Sequence, residues 1–503
     1  MLWDELAVAT NGETYMGYLK NLDFSQRNWS LNDEHPPLGK YIYGVSRKIT
    51  KSSQFLTNLD PLYSESRALT FSRFFSVLIG GLAIAVLFLM VSQIFDRGVG
   101  LISAFFLAVN PHFLAYTRIA CLEMPLLLFS LLFVWAFLSA VTKPFGKSFL
   151  FKDIKSWILV GILLGASLAS RSNGVFLFFL FEAGLLLFYK KELFDRKHIW
   201  KIFLPLMSLF FLYIIWPWLW PHPISNFWES IDRGMEVHTK EYFLGKVGFN
   251  PFYYYFVYFF AIVPLLQLFL FIFGLSNLLF VGRNLLNRKV LLSKLKDRSY
   301  LVMLFILLYF LTPFLASFVP LKQDGIRYVQ FFLPAFCVIS ALGFIKVTTF
   351  LEKEVSPWIM RILLSLIFIY CLYIPIRFYP YYSDYYNGVF GSLDRIVTTK
   401  MFEMGWWGEG SLDAVSKVNF LAHSGNTVFV DFAPGHTVPS FIEGVKSIKR
   451  WQGDPDFVIV NLFSMWYGDG EETLKFVKER KYELIYEVQV ANDVTIVWVY
   501  EKW

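Results

Sequence analysis

Residues 74–95, FFSVLIGGLAIAVLFLMVSQIF, form an apolar stretch that contains no charged side chain. A helix of about 20 apolar residues spans the roughly 30 Å hydrocarbon core of a bilayer. Because only helices and closed barrels satisfy every backbone group in lipid, such a stretch predicts a transmembrane helix. Nine further apolar segments follow, at 99–116, 124–142, 157–170, 173–189, 202–219, 252–273, 300–319, 329–345 and 362–377. The sequence therefore predicts an α-helical polytopic membrane protein with about ten transmembrane helices.

The composition agrees with a membrane protein. Apolar residues make up 56% of the chain and charged residues 17%, against roughly 25% charged in a soluble domain. Cys121, Cys337 and Cys371 have no paired spacing, so they predict neither a disulfide framework nor a metal site. The net charge of +7 is compatible with a nucleic-acid partner. However, the basic residues lie mainly in loops between helices, where membrane orientation explains them better, and we expect no nucleic-acid partner.

The distribution of Lys and Arg predicts the orientation of the helices. The short loops on one face hold nineteen of these residues and the opposite short loops hold seven. Because basic loops are retained in the cytoplasm, residues 1–73 and 378–503 are predicted to lie outside it. We expect a multi-pass protein of the cell membrane with its active site and C-terminal domain on the extracytoplasmic face.

Three regions are predicted along the chain. Residues 1–73 form an extracytoplasmic first loop with amphipathic helices, residues 74–377 form the transmembrane domain, and residues 378–503 form an extracytoplasmic C-terminal region. From about residue 400 the sequence alternates between strand-like and helix-like stretches, which predicts a small α/β domain. The strand-like stretches are NTVFVDF, PDFVIVNLF, YELIYEVQV and DVTIVWVY, and the helix-like stretches are GSLDAVSKVNFLAHSG and GDGEETLKFVKERK.

Aromatic clusters lie where helices are predicted to meet the outer surface. They are WPWLWP at 216–221, YYYFVYFF at 253–260 and FYPYYSDYY at 378–386. Tyr and Trp favour the membrane interface, so we interpret the clusters as an interfacial belt, with a sugar site as the alternative.

Polar side chains collect in the turns of the predicted outer face. They are Asp4 and Glu5, His35 and Lys40, Arg118 and Glu123, Arg171, His238, and Arg327. An ion near the membrane is costly and indicates a site. A guanidinium at the end of a helix can hold a phosphate at headgroup depth by paired N–H bonds. A carboxylate beside it can deprotonate a hydroxyl or stabilise positive charge on a sugar ring.

Structural explanations compete for the same residues. Arg118 can cap its helix or pair with Glu123, Arg171 can snorkel to the interface, and Arg327 can pair with Asp324. The His35-Pro-Pro element can be a rigid exit from a loop. His35 and His238, at unrelated spacings, are weak evidence for a metal site. Carboxylates near a phosphate can recruit a divalent cation, although no ligand spacing demands one.

The motifs together resemble glycosyltransferase family 39, which includes protein O-mannosyltransferases and bacterial transferases that add aminoarabinose to lipid A. The resemblance is carried by WDE at 3–5, HPPLGK at 35–40 and RIACLEMP at 118–125. WPWLWPHP at 216–223, HTKEYFLG at 238–245, the RY of Arg327 and Tyr328, and GWWGEG at 405–410 also look like elements of prokaryotic members. The resemblance implies a GT-C multi-helix fold with an extracytoplasmic site, and an inverting transferase that uses a polyprenyl-phosphate or dolichyl-phosphate sugar.

The same resemblance implies roles for individual residues. Asp4 would be the catalytic base, with Glu5 supporting it. His35 and Lys40 would shape the loop near the acceptor, and the three arginines would be candidates for the lipid phosphate. Glu123, a further catalytic candidate, stands where the family more often has Asp, and Arg171 stands where many members have Lys. The family also has a transmembrane helix before its acidic pair, whereas only Met1–Trp3 precede Asp4, so we expect a further N-terminal helix in the natural protein.

The leading hypothesis is a glycosyltransferase that moves mannose or a related hexose to an extracytoplasmic hydroxyl, as in protein O-mannosylation. The acceptor can be a protein, a lipid or a glycan, since all three carry hydroxyls. A polytopic transporter or flippase for lipid-linked sugars is the alternative, but it would be expected to have internal repeats or paired broken helices at mid-membrane. A non-catalytic scaffold would need no outer collection of arginines and carboxylates.

Overall fold

A computed structural model of the protein describes most of the chain. It describes residues 5–31, 33–52, 61–142, 154–236, 241–248, 251–283, 297–318, 325–405, 408–431, 441–448 and 453–503.

The first loop is built from helices that lie against one another. They are α1 (Glu5–Lys20), the single turn α2 (Gln26–Trp29) and α3 (Leu38–Ser52). A Cβ atom on Gly12 would come within 1.9 Å of the Lys40 carbonyl oxygen, and one on Gly44 within 2.2 Å of the Gly12 carbonyl carbon. The backbones of α1 and α3 therefore touch, and only glycine fits at the crossing. An ion pair of 2.8 Å from Arg47 Nε to Glu13 Oε2 also joins the two helices.

The membrane part follows the apolar segments of the sequence closely. Its helices are α4 (Pro61–Ile94), α5 (Arg97–Ala108), α6 (Pro111–Thr117), α7 (Glu123–Val141), α8 (Ile154–Ser170), α9 (Phe176–Tyr189), α10 (Leu204–Ile215), α11 (Pro223–Glu236), α12 (Tyr254–Ile262), α13 (Leu265–Arg283), α14 (Arg298–Leu311), α15 (Leu333–Glu354) and α16 (Pro357–Arg377). Short 3₁₀ segments lie at Ser172–Val175, Lys190–Phe194, Ile199–Phe203, Pro217–Leu219, Thr312–Phe318 and Arg327–Phe332.

Within the described residues, six helices are long and apolar enough to cross a membrane, or up to eight if each bent pair counts as one span. The bent pairs are α5 with α6, at 67°, and α12 with the first part of α13, at 116°. The shorter apolar helices Ile154–Ser170 and Ile199–Ile215 correspond to the two predicted segments that remain. The predicted class, a polytopic helical membrane protein, is thus confirmed, although several of the predicted crossings are bent or short.

Local sequence explains one of the bends. The Asn110 side chain accepts a hydrogen bond from the Phe113 amide and so caps α6, with Pro111 at its first position. A capped start of this kind begins a new helix and does not continue the old one.

The Trp-rich turn after α10 was interpreted as part of an interfacial belt, but most of its tryptophan rings are buried within the protein. Trp216 and Trp218 are only 1% and 5% exposed and pack with Tyr15 and Trp29 of the first loop. The rings are covered because α1 and α2 fold over this turn. Trp220, at 36% exposed, is the ring of this cluster that keeps an open face.

The C-terminal region contains the predicted α/β domain, preceded in the chain by a short hairpin of β1 (Glu241–Phe243) and β2 (Lys246–Gly248) within the membrane part. Its strands are β3 (Thr427–Asp431), β4 (Lys446–Ile448), β5 (Phe457–Asn461), β6 (Glu483–Val490) and β7 (Val494–Glu501), in the order β4-β3-β5-β7-β6. Its helices are α17 (Leu393–Thr398), α18 (Ser411–Leu421), α19 (Leu462–Tyr467) and α20 (Gly470–Glu479). All four predicted strands and both predicted helices are present. The strand β4 is additional.

The α/β domain is attached to the membrane part through aromatic contacts. Phe402 stacks on Tyr386, with ring centroids 5.2 Å apart, and lies 5.0 Å from Tyr258 of α12. The Leu244 amide, after β1, donates to the Met401 carbonyl at 2.8 Å. These contacts fix the sheet next to the end of the bundle that holds the charged residues.

Candidate active site

Three charged side chains from separate helices meet in the interior of the bundle. Glu123 is the first residue of α7, Arg171 directly follows α8, and Arg327 begins the 3₁₀ segment that leads into α15. Each therefore lies at a helix end. We call these three residues the arginine–glutamate cluster.

The cluster is buried, and its two arginines share one carboxylate oxygen. Glu123 Oε1 accepts hydrogen bonds from Arg171 Nη1 and from Arg327 Nε. The side chains of Glu123, Arg171 and Arg327 are 1%, 1% and 7% exposed. One carboxylate oxygen thus accepts from two guanidinium groups. A buried charge is strongly destabilising unless it is compensated.

Arg171 has hydrogen-bonding capacity left over. Its Nε and Nη2 atoms are buried and have no hydrogen-bond partner in the part of the chain that the structure describes. The guanidinium carbon lies 4.5 Å from the centre of the Tyr328 ring, which supports one face of the group. The Asn173 side chain donates to the Tyr328 carbonyl at 3.0 Å and so ties the backbone of Tyr328 to the turn after α8. This positively charged fork is suited to an anion, and above all to phosphate.

Glu5 occupies a different kind of site. It is 1% exposed, and its two oxygens accept hydrogen bonds from Arg73 Nε at 2.8 Å and Arg73 Nη2 at 2.6 Å. The Ala120 amide donates to Glu5 Oε1 at 3.1 Å. Glu5 therefore ties the start of α1 to α4 and to the turn that precedes Glu123. Arg73 was not singled out from the sequence, although it is a lone charge directly before the apolar stretch at 74–95.

His35 and Lys40 lie at the start of α3. Lys40 is fully buried and donates to the His35 carbonyl at 2.7 Å, and its ammonium lies 5.6 Å from the centre of the Tyr15 ring. Burial lowers the pKa of Lys40 to about 7, against the opposing effect of Glu34 and Asp33. A Cβ atom on Gly39 would come within 2.6 Å of Leu122, so the HPPLGK turn packs against the residue next to Glu123.

The first loop is also attached to α11. Arg233 Nη1 donates to both oxygens of Asp33 at 2.6 Å. This ion pair holds the residues before His35 against the surface that follows the Trp-rich turn.

Arg118 lies apart from the arginine–glutamate cluster. Its side chain is exposed and donates through Nη1 to the Pro380 carbonyl. Its guanidinium carbon lies 5.9 Å from the Tyr379 ring centre and 5.2 Å from that of Tyr382. The structure thus brings together two of the three arginines that the sequence nominated and places the third on the segment after α16.

A buried carboxylate pair lies where the GWWGEG element meets the bundle. Asp384 is fully buried and accepts a hydrogen bond from the Gly405 amide at 2.8 Å. Ser383 donates to Glu409 at 2.6 Å. Burial, together with the nearby Glu409 carboxylate, raises the pKa of Asp384 well above its usual range.

Some candidates lie outside the described residues. Asp4, His238, Asp324 and the two tryptophans of GWWGEG belong to this set. Across the described ranges, no group of three or more His, Cys, Asp or Glu side chains is placed to hold a metal ion.

Part of the chain is similar in sequence to a known protein family. Residues 3–227 match the family model described as dolichyl-phosphate-mannose-protein mannosyltransferase. This range includes Glu5, Glu123 and Arg171. A search of curated protein sequences gave no match.

Similar solved structures include two of ArnT from Cupriavidus metallidurans. The apo form has a TM-score of 0.48 at 12% identity, and the form bound to undecaprenyl phosphate has a TM-score of 0.47 at 11% identity. Each alignment covers 99% of this chain and 94% of the other. The oligosaccharyltransferase of Archaeoglobus fulgidus has a TM-score of 0.44 at 15% identity, over 68% of this chain and 47% of that chain.

The family match supports a membrane glycosyltransferase that uses a lipid-phosphate sugar. The resemblance to glycosyltransferase family 39 that the sequence motifs indicated is therefore confirmed, with the family model matching residues 3–227.

Proposed function

We propose that the protein transfers a sugar, mannose or a related hexose, from a polyprenyl- or dolichyl-phosphate donor to an acceptor hydroxyl outside the cytoplasm, with a protein as the preferred acceptor class. The family model supports the donor class by its description, dolichyl-phosphate-mannose-protein mannosyltransferase. The membrane helices supply the environment in which a lipid-phosphate donor is dissolved.

The observation that carries the proposal is the arginine–glutamate cluster. It combines two buried guanidinium groups on one carboxylate with N–H donors of Arg171 that are buried and have no partner among the described residues. In glycosyl transfer from a lipid phosphate, negative charge increases on the phosphate as the sugar leaves. Preorganised donors in a water-excluded site stabilise that charge strongly, because little reorganisation is needed at the moment of reaction.

The reaction is a single displacement at the anomeric carbon. The acceptor oxygen forms a bond to this carbon from one side while the bond to the phosphate oxygen breaks on the other, which inverts the configuration. The bonding electron pair leaves with the lipid phosphate, and the acceptor proton passes to a base. We assign the base to Asp4, by the likeness of WDE to the acidic pair of the family.

The other nominated residues are assigned positioning or binding roles. Glu5, held by Arg73, fixes the start of α1 next to Asp4 in the chain. Glu123, which the sequence also nominated as catalytic, aligns Arg171 and Arg327 through one oxygen. His35, Lys40 and His238 are assigned to the acceptor side. The Lys and Arg count supports an extracytoplasmic location for this end of the bundle.

Radiolabelled polyprenyl-phosphate mannose, incubated with the purified protein and a cell-envelope extract, tests the proposal. We expect label in a new product, and mass analysis of that product identifies the sugar and the acceptor. A transporter would move the labelled lipid between leaflets of a vesicle without transferring its sugar. Absence of label transfer with mannose and with related hexoses would overturn the proposal.

Asp4→Asn tests the assigned base. The variant should lose transfer by about 10²-fold or more while still binding polyprenyl phosphate, because the amide cannot accept the acceptor proton. Asp23→Asn is the matched control: this carboxylate accepts hydrogen bonds from Ser25 and Asn28 within the first loop. Near-normal turnover of Asp4→Asn would show that the base is a different group.

A further inference from the structure

Gln330 is a buried amide whose hydrogen-bonding groups are not used within the described residues. The side chain is 2% exposed, and neither its Nε2 donor nor its Oε1 acceptor has a hydrogen-bond partner there. Leaving a buried polar group unsatisfied is destabilising, so each such group in a native structure calls for an explanation.

The position of Gln330 relates it to the arginine–glutamate cluster. It belongs to the same 3₁₀ segment, Arg327–Phe332, as Arg327. A 3₁₀ helix has three residues per turn, so side chains at i and i+3 project from the same side. Gln330 therefore follows Arg327 on one face of the segment, about 6 Å further along its axis.

A second unused polar atom belongs to a neighbouring element. Ser317 Oγ is buried and has no hydrogen-bond partner among the described residues. Ser317 lies in the segment Thr312–Phe318, which packs against Arg327–Phe332. Together with Arg171, these residues give one end of the bundle several buried donors and acceptors that the described protein groups leave unused.

We propose that Gln330 recognises the sugar of the lipid-phosphate donor and helps to determine which hexose is transferred. This inference rests on the proposed function, in which the arginines hold the phosphate. A carboxamide presents a donor and an acceptor side by side, which matches two neighbouring sugar hydroxyls. A site built to hydrogen-bond a hydroxyl rejects a substrate in which that hydroxyl is misplaced, because its buried polar groups are then left unpaired.

The test compares two buried glutamines. Gln330→Met removes the amide and keeps the length of the side chain. Gln267→Met is the matched control, because Gln267 is 1% exposed and its amide is used: Nε2 donates to the Phe106 carbonyl at 3.1 Å, and Oε1 accepts from Asn110 at 3.5 Å. For each variant, kcat/KM is measured with polyprenyl-phosphate hexoses that differ at one hydroxyl, along with the affinity for polyprenyl phosphate alone and the thermal midpoint.

We expect Gln330→Met to reduce discrimination between the hexoses by about tenfold, the value of one hydrogen bond of ordinary strength. Its affinity for polyprenyl phosphate and its thermal midpoint should stay at or above those of the wild type. Gln267→Met should lower the midpoint and leave discrimination unchanged.

Unchanged discrimination in Gln330→Met, whether or not its midpoint falls, would overturn the inference and leave the proposed function standing. If the wild-type protein uses none of the lipid-phosphate hexoses, the proposed function fails, and this inference fails with it. The wild-type measurement separates the two outcomes.

Discussion

Two buried acidic sites at the same end of the bundle differ in how fully the hydrogen-bond donors of their arginines are used. At Glu5, one carboxylate meets one guanidinium in a two-pronged pair, and the Ala120 amide adds a third hydrogen bond. At Glu123, one carboxylate meets two guanidinium groups, and Arg171 keeps two buried donors that no described residue uses.

The use of buried hydrogen-bond donors distinguishes charged groups that hold the fold together from those that can bind a ligand. A buried ion pair with satisfied lone pairs holds elements together and needs nothing further. A buried charged site with unused donors is destabilising in isolation, and a bound ligand is one way to satisfy those donors. By this criterion we propose that Glu5 and Arg73 fix the first loop, and that Arg171 and Arg327 bind an anion.

Replacing one arginine from each site by methionine, Arg171 and Arg73 in turn, should cause the greatest changes in activity and stability. Arg171→Met should lower kcat/KM by about 100-fold or more, because it removes donors aimed at the leaving phosphate. Its thermal stability should change little, since Glu123 keeps Arg327 as a partner. Arg73→Met should instead destabilise the protein by about 3 kcal/mol, because it leaves the Glu5 carboxylate buried without its counter-ion.

Transfer kinetics and thermal midpoints of both variants, in the same detergent, check this pair of predictions. Added polyprenyl phosphate should raise the midpoint of Arg73→Met but not that of Arg171→Met, since a ligand stabilises only a folded state that binds it. Equal losses of stability in the two variants would remove the distinction between the sites.

Lys40 is a buried cation that can lose its charge, so we expect a moderate, pH-dependent effect on stability when it is replaced. Burial lowers the pKa of Lys40 from 10.5 to about 7 in the folded protein. Between these two values the unfolded chain binds a proton that the folded chain does not. The stability of the wild type relative to Lys40→Met should therefore rise as pH increases above 7, by at most about 1.4 kcal/mol per pH unit, and level off near 10.5.

Thermal midpoints of both proteins between pH 6 and pH 9 measure this difference. Arginine does not lose its proton in this range, so affinity for polyprenyl phosphate should stay constant if Arg171 and Arg327 alone supply the charge. An affinity that falls above pH 7 in the wild type, but not in Lys40→Met, would add Lys40 to the phosphate site.

The sequence predicted the elements of this molecule better than the pairing of its charges. Apolar length is a local property, so each of the ten predicted segments corresponds to a helix or a bent helix pair, although two of these helices are shorter than a full span. The four strands of the α/β domain with regular alternation were also predicted. The short strand β4 (Lys446–Ile448) has too few residues for such a pattern.

The pairing of charges depends on which helices are lateral neighbours, and spacing along the chain does not give this information. From the sequence, Arg118, five residues away, was one possible partner for Glu123, whereas the structure pairs Glu123 with Arg171 and Arg327. Gln330 was missed because an amide within IRYVQFFLP carries no charge to mark it. Its importance depends on burial and on unused hydrogen bonds, which only the structure reveals.

Replacement of Arg118 should change stability and activity least, and it shows whether the anion site extends beyond Arg171 and Arg327. Its exposed guanidinium contacts the Pro380 carbonyl and the rings of Tyr379 and Tyr382, so Arg118→Ala should cost about 1 kcal/mol of stability or less. Its kcat/KM should stay within about threefold of the wild type, because loss of an exposed contact of this strength changes binding little. The same kinetic assay shows whether Arg118 belongs to the phosphate site. A loss of kcat/KM as large as that in Arg171→Met would mean that Arg118 holds the lipid phosphate together with Arg171 and Arg327. A near-normal rate would confine the phosphate to the arginine–glutamate cluster.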